Sequence, residues 1–363
     1  MGQRQSAMEN LVSKSFFSGK HVLVTGHTGF KGSWLCLWLN QLGAEVAGYA
    51  LAPEKNPDSL YDLSGLSVHV RSQLGDIRDF ETLHRFMQSF RPEIVFHMAA
   101  QSLVLPSYES PLETYSTNIM GTANLLEAVR KIGNVKAVVN VTTDKCYENN
   151  ETGTPFRESD PLGGYDPYSS SKAAAEIVSA GYRRSFFTKD NIPMATARAG
   201  NVIGGGDFSR YRLIPDIIRA AKTGASVNLR QPGSIRPWQH VFDVLRGYLM
   251  LAQALYEKGE SYAQAFNFGP DDGNVTVGEV ADKLAASMKH PPVITRDTSA
   301  VAHEAQTLNL DNGKAKSLLG WRPLFTTQQA IENTAQWYEQ YITSPQTIAQ
   351  FSTQQLTIFM ASS

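Results

Sequence analysis

The chain has 363 residues, 42% of them apolar and 18% charged, with a formal net charge of -1. That composition builds a globular core in one large or two modest domains, and its near neutrality excludes a surface made for nucleic acid or an anionic membrane. The two cysteines, Cys36 and Cys146, stand far apart in the sequence, which excludes a disulfide framework and a thiolate metal site and fits a reducing cytosol. No apolar run is long enough to span a bilayer, and the first twenty residues lack the apolar stretch of a signal peptide. A soluble, cytoplasmic protein is expected.

From Lys20 onward, short apolar runs alternate with helical patterns. "HVLVTG" reads as a buried strand by its length and β-branching. A helix follows with Trp34, Leu35, Trp38, Leu39 and Leu42 on one face. "EVAGYAL" is the next strand, "VHVRSQLGD" the third and "EIVFHMAA" the fourth, with "DFETLHRFMQSF" a helix between the last two. "STNIMGTANLLEAVRKIG" is helical, "KAVVNVTT" is the fifth strand, "YSSSKAAAEIVSAGYRRSF" is a helix and "MATARAGNV" a sixth strand. This alternation predicts an α/β fold with a doubly wound, Rossmann-like parallel sheet over residues 12–203.

After Asn201 the pattern changes. "IGGGDFSR" and "RQPGSIRPWQH" are glycine- and proline-rich loops, with short helices such as "LIPDIIRAAKTG" between them. Residues 204–363 are therefore expected to form a smaller, loop-rich α+β cap. The strand at "AFNFGP" is expected to return to the first sheet, within a segment of roughly 241–270.

Three stretches carry chemistry. In "TGHTGFKG", glycines 26, 29 and 32 sit between a strand and a helix, where a tight backbone turn can approach a pyrophosphate and the helix N-terminus can stabilise it. The end of the second strand, "GYALAPEK", offers neither the acid that selects NAD nor the arginine that selects NADP. In "YSSSK", Tyr168 and Lys172 share one helix face, and an ammonium beside a phenol lowers the phenol's pKa and makes it a base for an alcohol proton. In "VNVTTDKCYE", an apolar strand runs straight into Thr143, Asp144 and Lys145 instead of turn formers. No His, Asp or Glu grouping has metal-ligand spacing, so no metal is expected.

With "HMAAQSLV" and "RAGNVIG", these motifs resemble the extended short-chain dehydrogenase/reductase superfamily over nearly the whole chain. "TTDK" and "IRPWQHV" resemble its sugar-nucleotide 4,6-dehydratases, most closely the branch acting on CDP-D-glucose, in deoxysugar biosynthesis of the O-antigen kind. The resemblance implies an NAD cofactor reduced and reoxidised within one turnover, and a nucleotide-sugar substrate. By it, Thr143 would bond the sugar O4, Tyr168 with Lys172 would take the O4 proton, and Asp144 would protonate the departing C6 hydroxyl. Gly26, His27, Thr28, Gly29, Phe30, Lys31 and Gly32 would hold the pyrophosphate, and Asp76 with Ile77 would meet the adenine. Ala99, Ala100 and Gln101 would line the nicotinamide side. Ser102, Asn201, Arg212, Asn228, Arg230, Arg236, His240 and Asn267 would hold sugar, diphosphate and base, with His303 and Glu304 closing the pocket.

One departure matters. The dTDP-glucose branch would place Glu where this chain has Lys145, so the group that removes the C5 proton stays open between a deprotonated lysine and another residue. The resemblance also implies a homodimer through a four-helix bundle formed by "IMGTANLLEAV" and "AAAEIVSAGY", or a tetramer built from it. A nucleotide-sugar 4-epimerase and the dTDP-glucose or GDP-mannose dehydratases are the alternatives within the fold. A cofactor-binding regulator without turnover would have no use for Thr143, Tyr168 and Lys172 together.

Overall fold

The computed structural model describes residues 12–53, 58–272, 275–296 and 305–362. The apolar runs form six strands: β1 (His21–Thr25), β2 (Glu45–Ala50), β3 (Arg71–Leu74), β4 (Ile94–His97), β5 (Ala137–Val141) and β6 (Met194–Ala199). Seven further strands of two to four residues follow: β7 (Val202–Ile203), β8 (Ser226–Leu229), β9 (Ile235–Arg236), β10 (Gln239–His240), β11 (Ala265–Phe268), β12 (Val275–Thr276) and β13 (Val293–Arg296). The main sheet has the order β11-β6-β5-β4-β1-β2-β3, and all its pairs are parallel. The fold class is the expected doubly wound one.

Helices cover both faces, which is why β4, β5 and β6 are buried along their whole length. On one face lie α1 (Phe30–Gln41) and α6 (Val241–Lys258), where Trp34 meets Phe242 edge-on. On the other lie α2 (Phe80–Phe90), α3 (Gly121–Ile132) and α4 (Pro167–Tyr182), with Leu83, Met87, Leu125 and Leu126 against β1 and β4. The third strand is shorter than its sequence suggests. Leu66–Val68 is a 3-10 turn and Val68 is exposed, because β3 is the sheet's edge and nothing covers that end.

The cap holds α5 (Leu213–Thr223), α7 (Val277–Ala286) and three two-stranded ribbons, β7 with β10, β8 with β13 and β9 with β12. The boundary is crossed repeatedly. From the middle of the cap's sequence, α6 and β11 go to the sheet. Near the end, α8 (Thr327–Thr343) and α9 (Ile348–Ser362) also turn back, and Phe359 of α9 packs on Trp38 and Phe242. Among the described residues no helix is long and apolar enough to cross a membrane.

Candidate active site

The strand order reverses between β1 and β4, and in such sheets a crevice opens beyond the carboxyl ends of those strands. A cavity of about 530 Å³ occupies it, lined from β1, β4, β5, α4 and the cap loops. That size suits a nucleotide-sized ligand.

The glycine turn fits a dinucleotide on steric grounds. Gly26 has φ +76°, and a Cβ there would stand 2.8 Å from the Ala99 amide nitrogen. A Cβ on Gly32 would lie 2.1 Å from the Gly26 carbonyl oxygen. The backbone thus packs closer than any other residue allows, and Gly29 caps α1 without a side chain, leaving first-turn amides for an anion. Thr28, Phe30 and Lys31 line the cavity with these glycines, as do Asp76, Ile77, Ala99 and Ala100. The Asp76 carboxylate is held by Arg78, whose hydrogen bonds draw its pKa below the ordinary value.

Two residues of the expected cofactor set stand outside. His27 is buried against Gly48 and Tyr61, with Nε2 2.8 Å from the Ser72 hydroxyl, so it packs the turn from behind. Gln101 turns its amide to Leu103 O and Thr114 Oγ1, which shapes the loop after β4 instead of facing a ligand.

At the end of β5, Thr143, Asp144 and Lys145 all line the cavity, opposite Tyr168 and Lys172 of α4. Thr143 Oγ1 donates to Asp144 Oδ1 at 3.0 Å, while the buried Asp144 Oδ2 has no hydrogen-bond partner among the described residues. Burial raises the Asp144 pKa, and Lys145, Thr143 and Arg236 offset only part of that. A protonated carboxyl there is an acid. Burial lowers Lys172 to about 8, although Glu176 opposes the shift. The expected effect of Lys172 on Tyr168 is absent in this state. Its Nζ donates to the Val141 carbonyl at 3.2 Å, and burial pushes the Tyr168 phenol up to about 12, against a hydrogen bond from Thr143.

From the cap, Asn201, Arg212, Asn228, Arg230 and Arg236 reach the cavity, as does Ser102 from the loop after β4. Arg212 spans the two halves: Nη1 meets Asp207 at 2.9 Å and Nη2 donates to the Ser102 hydroxyl at 3.1 Å. Arg236 is buried, with Nη1 donating to Ile235 O and Gln306 O. His240 and Asn267 lie elsewhere. His240 caps α6, its Nδ1 accepting from the Phe242 amide, and sits between the rings of Phe242 and Phe325. Asn267 is buried in β11, where it bonds the Tyr147 hydroxyl and the carbonyls of Phe156 and Asp311. His303 and Glu304 lie outside the described residues. Trp238 is core, its indole N–H donating to Val275 O.

A family model described as GDP-mannose 4,6 dehydratase matches residues 23–334. The chain belongs to this nucleotide-sugar dehydratase family. A CDP-glucose 4,6-dehydratase of Salmonella typhimurium is 49% identical over 338 residues, 92% of this chain and 94% of that protein. The solved dTDP-glucose 4,6-dehydratase of Bacillus anthracis, in complex with NAD, is 25% identical with a TM-score of 0.72, covering 89% of this chain and 97% of that one. An epimerase structure from Methanothermobacter thermautotrophicus has a TM-score of 0.80 at 23% identity over 92% of this chain and 96% of that one, a likeness of fold alone.

In this dehydratase, sequence reasoning passed over a second cluster directly behind the first. Glu176, one turn beyond Lys172, accepts from Thr142 Oγ1 at 2.5 Å and Thr196 Oγ1 at 2.8 Å, and takes both Nε and Nη2 of Arg198. Burial alone would raise the Glu176 carboxyl, but Arg198 outweighs it and holds the pKa below the usual value. The signal was present in the sequence: an arginine inside the otherwise small and apolar strand "MATARA" requires a buried anion.

Proposed function

We propose that this enzyme is a CDP-D-glucose 4,6-dehydratase, releasing CDP-4-keto-6-deoxy-D-glucose and water. The observation that carries the reading is Asp144, a buried carboxyl with an unpartnered oxygen, placed beside Thr143, Lys145 and Tyr168 in one cavity with the glycine turn. The 49% identity to the Salmonella enzyme supports the CDP-glucose assignment.

NAD would be held by the turn at Gly26, Gly29 and Gly32 with the first-turn amides of α1, and would supply hydride-acceptor and hydride-donor chemistry to the sugar. The chain's own residues manage the protons. Thr143 bonds O4 and orients it toward Tyr168, whose phenol is pushed up to about 12 by burial, with Thr143 and Arg212 acting in the other direction. Tyr168 Oη then receives the O4 proton. Oxidation at C4 acidifies C5, and Lys145, at the cavity wall, takes the C5 proton or stabilises the enolate beside the ketone. Asp144 Oδ2 gives its proton to the leaving C6 hydroxyl, and C5 takes back a proton, supplied from solvent, as C6 is reduced. A 4-epimerase would need Tyr168 and Lys172 but no buried acid at 144.

Leu112, Met120 and Ile177 are exposed, the last two just before and on the helices α3 and α4. Their exposure supports pairing of these helices across a two-fold axis, which sedimentation would check. For the activity itself, a panel of nucleotide diphosphosugars read by mass spectrometry is decisive. Loss of one water from CDP-glucose alone is expected; loss from another nucleotide sugar, or epimerisation without dehydration, overturns the reading.

A further inference from the structure

The glycine turn carries a residue that a pyrophosphate cradle does not require. Lys31 is the second residue of α1, and α1 is docked against the cap loop that follows β7. Trp34 Nε1 donates to the Gly205 carbonyl at 2.8 Å, and the Phe30 ring lies so close to Gly204 that a Cβ there would be 3.2 Å from it. This docking brings the Lys31 side chain to the junction of the two halves. The charges that act on Lys31 are Arg212 and Asp207 from the cap, Lys172 from α4 and Asp144 from the end of β5.

None of those carboxylates holds it. Asp207 is engaged by Arg212 and by the Ser209 amide, and Asp144 by Thr143. Lys31 lines the cavity and makes no hydrogen bond or ion pair among the described residues. An amine near Arg212 and Lys172, with no carboxylate bonded to it among the described residues, is a site waiting for negative charge from outside the protein. The dinucleotide's pyrophosphate is met by backbone amides at the start of α1, whereas Arg212, the largest charge acting on Lys31, belongs to the substrate side.

We propose that Lys31, although it belongs to the dinucleotide's glycine turn, binds the diphosphate of the sugar nucleotide together with Arg212, and so makes the two ligands bind cooperatively. The inference rests on the nucleotide-sugar reading given above and adds a substrate residue to it. Burial, followed by Arg212 and Lys172, lowers Lys31 to about 7, with Asp144 and Asp207 opposing. An arriving diphosphate favours the protonated amine, so binding above that pH takes up a proton, and affinity falls as pH rises further.

The test is calorimetry on the full chain, with CDP-glucose titrated into protein with and without NAD, in two buffers of different ionisation enthalpy at pH 7.5. Lys31→Met is expected to weaken CDP-glucose binding to the NAD-loaded protein roughly 10- to 100-fold, as for loss of a charge-assisted hydrogen bond. It should also abolish the proton uptake seen in the parent and remove the cooperativity with NAD. In kinetics the loss should fall mainly on KM. Lys31→Arg, which keeps the charge, should stay within about threefold of the parent, and its melting curve guards against misfolding.

If Lys31→Met weakens NAD and leaves CDP-glucose untouched, the residue serves the dinucleotide alone and the proposal fails. It fails equally if kcat and C5 exchange collapse with unchanged binding, which would make Lys31 a proton-transfer group, or if Lys31→Arg is as weak as Lys31→Met. Should the parent bind no sugar nucleotide at all, the dehydratase reading falls first, and the two failures are thereby distinguished.

Discussion

Two neighbouring groups of charge follow opposite rules. In one, Glu176 of α4 and Arg198 of β6 meet through two hydrogen bonds, and Thr142, Thr196 and Tyr147 satisfy what remains. In the other, at the cavity, Asp144 keeps an oxygen unpartnered and Lys31 bonds no anion among the described residues. The Glu176–Arg198 cluster spends its charges on each other and fixes the frame. The cavity cluster leaves them unmatched, which costs stability and leaves them available to a ligand. Between these two clusters the difference lies in how far their hydrogen bonds are completed.

The comparison can be broken most forcefully at Lys145. Lys145→Ala should still permit C4 oxidation but slow deuterium entry at C5 by ~100- to 10,000-fold, the range of proton-transfer groups. Reduced-nicotinamide absorbance should then persist during turnover. Exchange as fast as in the parent would move Lys145 to the frame. In the other cluster, Glu176→Ala strands Arg198 in the interior and should cost about 3–5 kcal/mol in denaturant unfolding, the scale for breaking a buried pair. A loss below ~1 kcal/mol would show that water relieves the arginine and that this cluster is not closed.

Tyr168→Phe keeps the ring and removes only the reacting oxygen. Turnover should fall at least ~100-fold while calorimetry records nearly unchanged binding; a parallel fall in binding would mean the phenol also anchors substrate. The smallest effect sharpens the comparison most. Asp144 has its folded-state pKa raised, so its charged form is penalised by folding at neutral pH and the penalty vanishes once the group is protonated in both states. Asp144→Asn should therefore be more stable than the parent near pH 7, by roughly 1 kcal/mol on the scale of one unsatisfied buried group. The gain should disappear below the ordinary carboxylate range. A destabilised Asn variant at pH 7 would show that the carboxylate, too, belongs to the frame.

How much of this was legible in advance follows the same division. The glycine turn, the strand running into Thr143–Lys145 and the Tyr168/Lys172 pair are local patterns, and the structure brings all of them to one cavity. His240 and Asn267 were misplaced because their surroundings come from distant segments, Phe325 in one case and Tyr147 with Asp311 in the other. A polar residue in a loop sequence gives no sign of whether such partners will close around it. The docking of α1 on the Gly204–Gly205 loop, through Trp34 and Phe30, is also a contact no periodicity encodes. The tight point at Gly200, where a Cβ would lie 2.7 Å from Asp144 Oδ2 and 2.2 Å from Pro237, was likewise invisible.

The placement of β11 has a consequence for how the protein comes into being. During synthesis β6 emerges well before β11, its only partner on that side. Until residues 265–268 follow, the growing sheet presents a bare row of amides and carbonyls to whatever other chains are near. The sequence of β6, Met-Ala-Thr-Ala-Arg-Ala, meets that interval with small side chains and a charge, a poor template for intermolecular pairing. The arginine that later joins Glu176 thus also guards the newborn edge, and any fragment ending short of β11 would keep that edge open for good.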